Sequence, residues 1–229
     1  MTFTSQSAHP DTMPVNGSAT RIRVVAGALG AAALTAAALL VSTPWGDRYS
    51  SSADEVIAYE HLDTVPDGAW IGMLTNGVAI AVLYISLGLV ACHLVRGRGR
   101  FAALLGALAG TVGGILSAMG NLSFATFVWF ASRLSEDVGR PLVDYANDNP
   151  GHLLGATMAG FFLSTLAQLA LATALLRARA VPVAAVAAYL LLIPLQFAPI
   201  PGRVIDLLQI VMMALYVALA VTVLRRPAT

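Results

Sequence analysis

The sequence predicts an all-α protein, a polytopic membrane helical bundle with six transmembrane helices and both termini in the cytoplasm. Three observations lead to this fold class. Hydrophobic residues make up 58% of the 229 residues, charged residues only 11%, and the mean hydropathy is +0.77. The apolar residues gather in six runs, and a span needs some 20 such residues. Nine of the 13 basic residues lie before the first run, after the last run, or in the two short segments that follow the second and fourth runs. Soluble domains carry about 25% charged residues, so a soluble fold does not fit.

The predicted elements follow from these runs. The first 20 residues are polar and rich in Ser, Thr and Pro, which predicts a disordered cytoplasmic tail. Residues 21–226 form a single domain with spans at about 24–43, 70–95, 101–130, 151–176, 181–197 and 204–224. Helix is expected for all six, because backbone polar groups in hydrocarbon must be satisfied within the segment. A cleaved signal peptide is the disfavoured alternative for the first run, since Val41-Ser42-Thr43 is a poor cleavage site.

Two longer loops, 44–69 and 131–150, are predicted on the outer side. Ser52 to Glu55 has the form of a capping box and predicts a short interfacial helix. In the second loop Arg140-Pro141 predicts a turn, and Asn149 and Pro150 are suited to cap and begin the fourth span. The third span is longer than the bilayer core and is expected to tilt or project outward.

Arginine placement gives the bundle a direction. With the N-terminus inside, nine arginines fall in cytoplasmic segments and four in outer ones, whereas the acids gather in the outer loops. This is the positive-inside bias, and it places both termini in the cytoplasm. The absence of lysine and the abundance of alanine are typical of GC-rich bacterial genomes and point to a bacterial plasma membrane. The net charge of +1 argues against nucleic acid as a partner.

Small residues predict where helices approach closely. Gly106, Gly110 and Gly114 recur at four-residue spacing in the third span, and Gly160 lies on a similar stripe of the fourth. Such stripes let a partner backbone come near, so the third span is expected at the centre of the bundle. A homodimer seam is the alternative use of these stripes. A duplication of spans two and three as spans four and five is also left open.

Six polar residues fall in the outer third of their spans and are the candidate pocket: Asn76, Asn121, His152, Gln196, Asp206 and Gln209. If they face inward they line an outward-opening polar vestibule, with Asp206 as its anionic member. The alternative is that they reach interfacial water at helix ends. No charged residue lies near the middle of any span, so we expect a dry midplane and no proton relay.

No motif commits the chain to a reaction. There is a single cysteine, Cys92, and no catalytic residue, metal site or cofactor is predicted. The leading hypothesis is a protein that binds or transports a small neutral or amphipathic molecule through an outward-facing polar pocket. The alternatives are an accessory subunit of a membrane complex and a lipid-modifying enzyme. The expected partners are the lipid bilayer and a second copy or another membrane protein.

Overall fold

The computed structural model of the protein describes residues 16–42, 56–64, 67–197 and 202–226, and within them every regular element is a helix. A short 3₁₀ helix, Tyr59–Thr64, lies between the first two α-helices. The α-helices of the described ranges are α1 (Asn16–Ser42), α2 (Asp67–Leu94), α3 (Arg100–Arg133), α4 (Glu136–Asp148), α5 (Pro150–Ala178), α6 (Val183–Leu195) and α7 (Gly202–Leu224). The all-α membrane-type bundle predicted from the sequence is confirmed.

Five of these helices, α1, α2, α3, α5 and α7, are long and apolar enough to cross a membrane. The sixth predicted span differs, because α6 has only 13 residues. At 1.5 Å per residue it is roughly 20 Å long, short of the ~30 Å hydrocarbon core. Its helix begins after Pro182 and ends one residue beyond Pro194, so proline confines it to the middle of the apolar run 181–197.

Several boundaries differ from the prediction. Helix α1 already begins at Asn16, so residues 16–20 are helical rather than part of a disordered tail. The predicted turn at Arg140-Pro141 is wrong, because both residues lie inside α4. That helix is amphipathic and buries Gly139, Val143 and Ala146 on one side, which offsets the hydrogen bond that Pro141 cannot donate. The capping box at 52–55 lies outside the described residues.

The long helices pack side by side in the order α5, α3, α2, α1, α7, and α3 makes the most extensive contacts, with α5 and α2. Helix α6 touches α5 and α7 over a much smaller area. The N-terminal half of α1 and the C-terminal halves of α2, α5 and α7 share one apolar core, which includes Ala26, Val90, Leu175 and Val223. We call this side of the bundle the arginine end, because it carries nine of the arginines.

Glycines set the spacing between α3 and its neighbours. Gly113 and Gly160 face each other across the contact of α3 with α5, and a Cβ on Gly160 would lie 2.5 Å from the backbone nitrogen of Ser117. Gly106 and Gly110 also lie against α5, at Leu171 and Ala167. At Gly113 and Gly160, where the obstructing atoms belong to the backbone, the helices are therefore closer together than a side chain would permit.

The same arrangement continues between α3 and α2. Gly114 lies against Ala81 and Tyr84, and a Cβ on Gly88 of α2 would lie 2.8 Å from the Cα of Ala107. The stripe formed by Gly106, Gly110 and Gly114 thus turns gradually from α5 toward α2. Helix α3 is therefore packed closely between α2 and α5.

Residues 56–64 and α4 fold together over the other end of the bundle, and we call this unit the cap. Ile57, Leu62 and Val143 are buried there against Val128 and Ala131 at the end of α3. The length of α3, 34 residues or roughly 51 Å, allows its last turns to project beyond a bilayer core into the cap. Trp70 and Trp129 pack beside it, with ring centroids 6.3 Å apart.

Polar contacts join the two parts of the cap. The Oδ1 atom of Asn147 accepts hydrogen bonds from the backbone N–H groups of Val56 and Ile57, both at 3.1 Å, and its Nδ2 donates to the carbonyl of Ile57 at 2.9 Å. One side chain of α4 thereby satisfies three backbone groups of the first loop, where no helix or strand ladder is available to them.

Arg140 forms the second connection within the cap. It donates to Glu60 at 2.6 Å and to Glu136 at 3.0 Å, and its guanidinium lies 5.0 Å from the ring centre of Tyr59. The hydrogen bond from Arg140 lowers the pKa of Glu60 and raises that of Arg140 itself. Because the three charged side chains are exposed, the network orients the cap more than it stabilises the fold.

Candidate functional site

The six residues of the predicted pocket occupy different environments. Asn76 and Asn121 are half-buried, and Asn121 packs beside Gly77 at the contact of α2 with α3. His152 is exposed at the start of α5. Gln196, which follows α6, and Gln209 of α7 are half-buried, and Asp206 is buried. That the six line a common outward-facing vestibule stays a prediction.

The best-formed cavity lies elsewhere, between α2, α5, α6 and α7. Its volume is about 220 Å³. Its lining is largely aliphatic, with Gln168, Tyr189, Tyr216 and Thr222 as the polar members. The remaining lining residues are Leu87, Ala172, Leu175, Val181, Pro182, Ala185, Val186, Leu215, Ala218 and Leu219. None of the six predicted pocket residues is among them.

Two hydrogen bonds between helices define the polar side of this cavity. Gln168 of α5 donates through Nε2 to the hydroxyl of Tyr84 on α2, at 2.5 Å. The hydroxyl groups of Tyr189 on α6 and Tyr216 on α7 are hydrogen-bonded to each other, and their rings meet edge to face. The first bond joins α2 to α5 and the second joins α6 to α7, so together they tie four helices around the cavity.

These polar groups lie deep in the bundle. Tyr84, Gln168, Tyr189 and Tyr216 are each within about four residues of the middle of their helix, or roughly 6 Å along its axis. Gln168 and Tyr216 are each only 3% exposed. The dry bilayer midplane stays a prediction, but the middle of these helices carries an uncharged hydrogen-bonded cluster. A buried amide or hydroxyl requires a partner, which accounts for the pairing.

After these two hydrogen bonds are formed, some polar groups of the cluster can still form others. Gln168 uses one amide atom on Tyr84, and among the described residues no group donates to its Oε1 atom, which is buried. In the tyrosine pair one hydroxyl donates to the other, so the accepting hydroxyl keeps its own hydrogen. The cavity thus offers an acceptor and a donor on an otherwise apolar surface.

The cavity has an opening on the side of the bundle, between α6 and α7. Pro182, Ala218 and Thr222 line the cavity and are exposed. Because α6 is short and lightly packed, this wall is the least supported one. The side chains that line the cavity on this side include the small ones of Ala185 and Ala218.

The sequence pattern did not predict that the residues of this cluster form a site. Tyr84 and Gln168 stand out as polar residues within spans, and Tyr216 shares a helix face with Gln209, yet none was placed in a site. The candidate pocket included only residues in the outer third of their spans, whereas these residues lie deeper. Hydroxyl and amide groups near the middle of several spans are the sequence signal that identifies these residues, since such groups need partners in hydrocarbon.

Among the described residues, no group of three His, Cys, Asp or Glu side chains lies close enough to hold a metal ion. Cys92 donates weakly to the carbonyl of Ala103, and no base lines the cavity. The arrangement is thus suited to binding a molecule by shape and hydrogen bonds. Comparison of the chain with known protein families, with characterised proteins and with solved structures finds no match.

Proposed function

We propose that this chain is a multi-pass integral membrane protein that binds a small neutral or amphipathic molecule within the bilayer, in the cavity between α2, α5, α6 and α7. This keeps the class of ligand expected from the sequence and moves its site from an outer vestibule to a cavity that extends from the middle of the bundle toward the arginine end. Transport of that molecule would require α6 to move, because α6 forms the least supported wall of the site.

The observation that carries the proposal is the chemical character of the cavity. Binding sites for small molecules are concave and mostly apolar, with a few convergent polar groups. The cavity combines aliphatic side chains with Gln168, Tyr189 and Tyr216, and none of its lining residues is charged. A charged ligand would lose its hydration with no counter-charge in return, whereas a neutral one would not.

The proposal includes a topology. The core at the arginine end contains both Ala26 of the N-terminal half of α1 and Val223 near the end of α7, so the start of α1 and the end of α7 lie at the same end of the bundle. We propose that this side faces the cytoplasm of a bacterial plasma membrane, in accord with the positive-inside rule. We also propose six crossings, with α6 as part of the fifth span at 181–197.

Photoaffinity labelling tests the binding site. The full-length protein is reconstituted in phosphatidylcholine vesicles with a long-chain alcohol that carries a diazirine near its hydroxyl, and labelled residues are mapped by mass spectrometry. We expect labelling on α5, α6 and α7 around the cavity. Ala185→Phe should abolish it by filling the site, whereas Ala184→Phe, an exposed neighbour that does not line the cavity, should leave it unchanged.

Labelling spread evenly over the lipid-facing helix surfaces would contradict the proposal, as would equal labelling of the two phenylalanine variants. The topology is tested separately with Cys92→Ser as the background. A cysteine introduced at Tyr145 in the cap should react with a membrane-impermeant maleimide on intact cells, and one introduced at Arg225 should react only after lysis. The reverse result would invert the orientation.

One observation favours a second function, that of an accessory subunit. Leu134, Val138 and Tyr145 are exposed on the side of the α3–α4 corner and α4 that faces away from the buried side of the cap. Such a surface suits a membrane partner. Co-purification of a stoichiometric partner that Val138→Asp abolishes would support this function, and elution as a lone monomer from native membranes would count against it.

A further inference from the structure

We infer that the ligand of the cavity is an amphiphile whose polar end is an uncharged hydroxyl group, bound between Gln168 and the Tyr189–Tyr216 pair, with its chain leaving between α6 and α7. This inference rests on the proposed function and specifies the class of ligand.

Hydrogen-bonding capacity selects the hydroxyl group. Gln168 is 3% exposed, and no group within the described residues donates a hydrogen bond to its Oε1 atom. The tyrosine pair retains one hydroxyl hydrogen. A ligand hydroxyl donates one hydrogen bond and accepts others, so it satisfies both groups at once. If the amide is turned round, Tyr84 donates to Oε1 and Nε2 becomes the remaining group, which a hydroxyl also satisfies.

Each alternative to a hydroxyl head group leaves a buried polar group or a charge without a partner. A hydrocarbon leaves the buried amide atom of Gln168 without a partner, which is unfavourable. A carboxylate or an ammonium group would bring a charge to the middle of the bundle, and no lining residue carries the opposite charge. The site therefore discriminates by the chemistry of the head group.

The size of the cavity determines where the rest of the ligand lies. About 220 Å³ holds roughly seven groups the size of a water molecule, each ≈ 30 Å³ in the liquid. This accommodates a head group and the first few carbons of a chain. A longer chain has to continue through the opening between Pro182, Ala218 and Thr222, which lies beside the start of α6 and the last turns of α7.

The test compares three photoreactive probes of equal chain length in the reconstituted full-length protein: a primary alcohol, the corresponding carboxylate, and the hydrocarbon. We expect the alcohol to label the cavity about tenfold more efficiently than either of the others. Gln168→Leu should reduce labelling by the alcohol to the level of the hydrocarbon. Gln196→Leu is the matched control, since this half-buried glutamine does not line the cavity, and it should retain the preference.

Tyr216→Phe provides a second variant should Gln168→Leu fail to fold, and it should weaken the preference for the alcohol without affecting the hydrocarbon. Equal labelling by alcohol and hydrocarbon in the natural protein would overturn the inference and leave the proposed function standing. Stronger labelling by the carboxylate would overturn the neutral head group. Absence of cavity labelling by all three probes would overturn the proposed function as well.

Discussion

Gly160→Ala is expected to destabilise the bundle by about 2–3 kcal/mol. The new Cβ would lie 2.5 Å from the backbone nitrogen of Ser117, whereas ordinary contacts begin at 3.4 Å. The helices α3 and α5 would have to separate locally by about 0.9 Å. Overpacked sites cost ~1–3 kcal/mol. We expect the upper half of this range, because the obstructing atom belongs to the backbone and cannot rotate away.

The separation also weakens neighbouring contacts. A gap of 0.5–1 Å loses about a quarter to a half of the dispersion attraction between two packed surfaces. The contact of α3 with α5 is the most extensive in the bundle, so this loss extends beyond the substituted residue. Gly113, which faces Gly160, would move away from Ser164 in the same step.

The measurement is the free energy of unfolding in mixed detergent micelles, followed by circular dichroism as the denaturing detergent increases. Gly155→Ala is the matched control, because it lies on the same helix with no atom within 4 Å of the added Cβ. It should be neutral or slightly stabilising, since alanine favours helix over glycine. A Gly160→Ala protein as stable as Gly155→Ala would refute the close approach of α3 and α5.

Three further predictions concern the turn at the arginine end and the cap. Gly99→Ala should lower the free energy of unfolding by about 1 kcal/mol more than Gly97→Ala in the same assay. Both glycines have positive φ, which costs an alanine ~1–2 kcal/mol. Only at Gly99 would the added Cβ also meet another helix, at 3.0 Å from the carbonyl oxygen of Ala174. Equal losses would contradict this. Asn147→Ala should accelerate proteolysis within the first loop, whereas Asn149→Ala, whose side chain bonds only its own helix, should not. Acidification should loosen the cap: the lowered pKa of Glu60 stabilises the folded state above its ordinary value of 4.5, and this contribution is lost as pH falls through the lower folded value. Glu60→Gln should remove that step from the pH dependence of proteolysis.

The helical bundle could be predicted from the sequence because hydrocarbon imposes a simple rule on backbone hydrogen bonds. Each long helix overlaps one predicted span, and α5 begins at Pro150 as the chain chemistry suggests. The cap could not be predicted in this way. Helix α4 contains Pro141, a strong local signal for a turn. Its stability depends on burial of Val143 against Val128 and also against Ile57, which belongs to a distant segment of the chain.

The cavity was beyond sequence reasoning for a related reason. Gln168 and Tyr84 are separated by 84 positions, and Tyr189 and Tyr216 by 27. Helical spacing indicates which residues of one span share a face, but it does not indicate which spans are neighbours. The pairing of α2 with α5 and of α6 with α7 had to be known before the four side chains could be recognised as one cluster.

The distribution of aromatic side chains makes the protein its own spectroscopic reporter. Trp70 and Trp129 pack together beside the cap, whereas Tyr189 and Tyr216 meet at the cavity. In a Trp45→Phe background, tryptophan emission excited at long wavelength will therefore follow the cap. The phenol bands that Tyr189→Phe and Tyr216→Phe remove from an ultraviolet resonance Raman spectrum will follow the hydroxyl pair. Events at the cap and at the cavity can thus be timed separately without any attached dye.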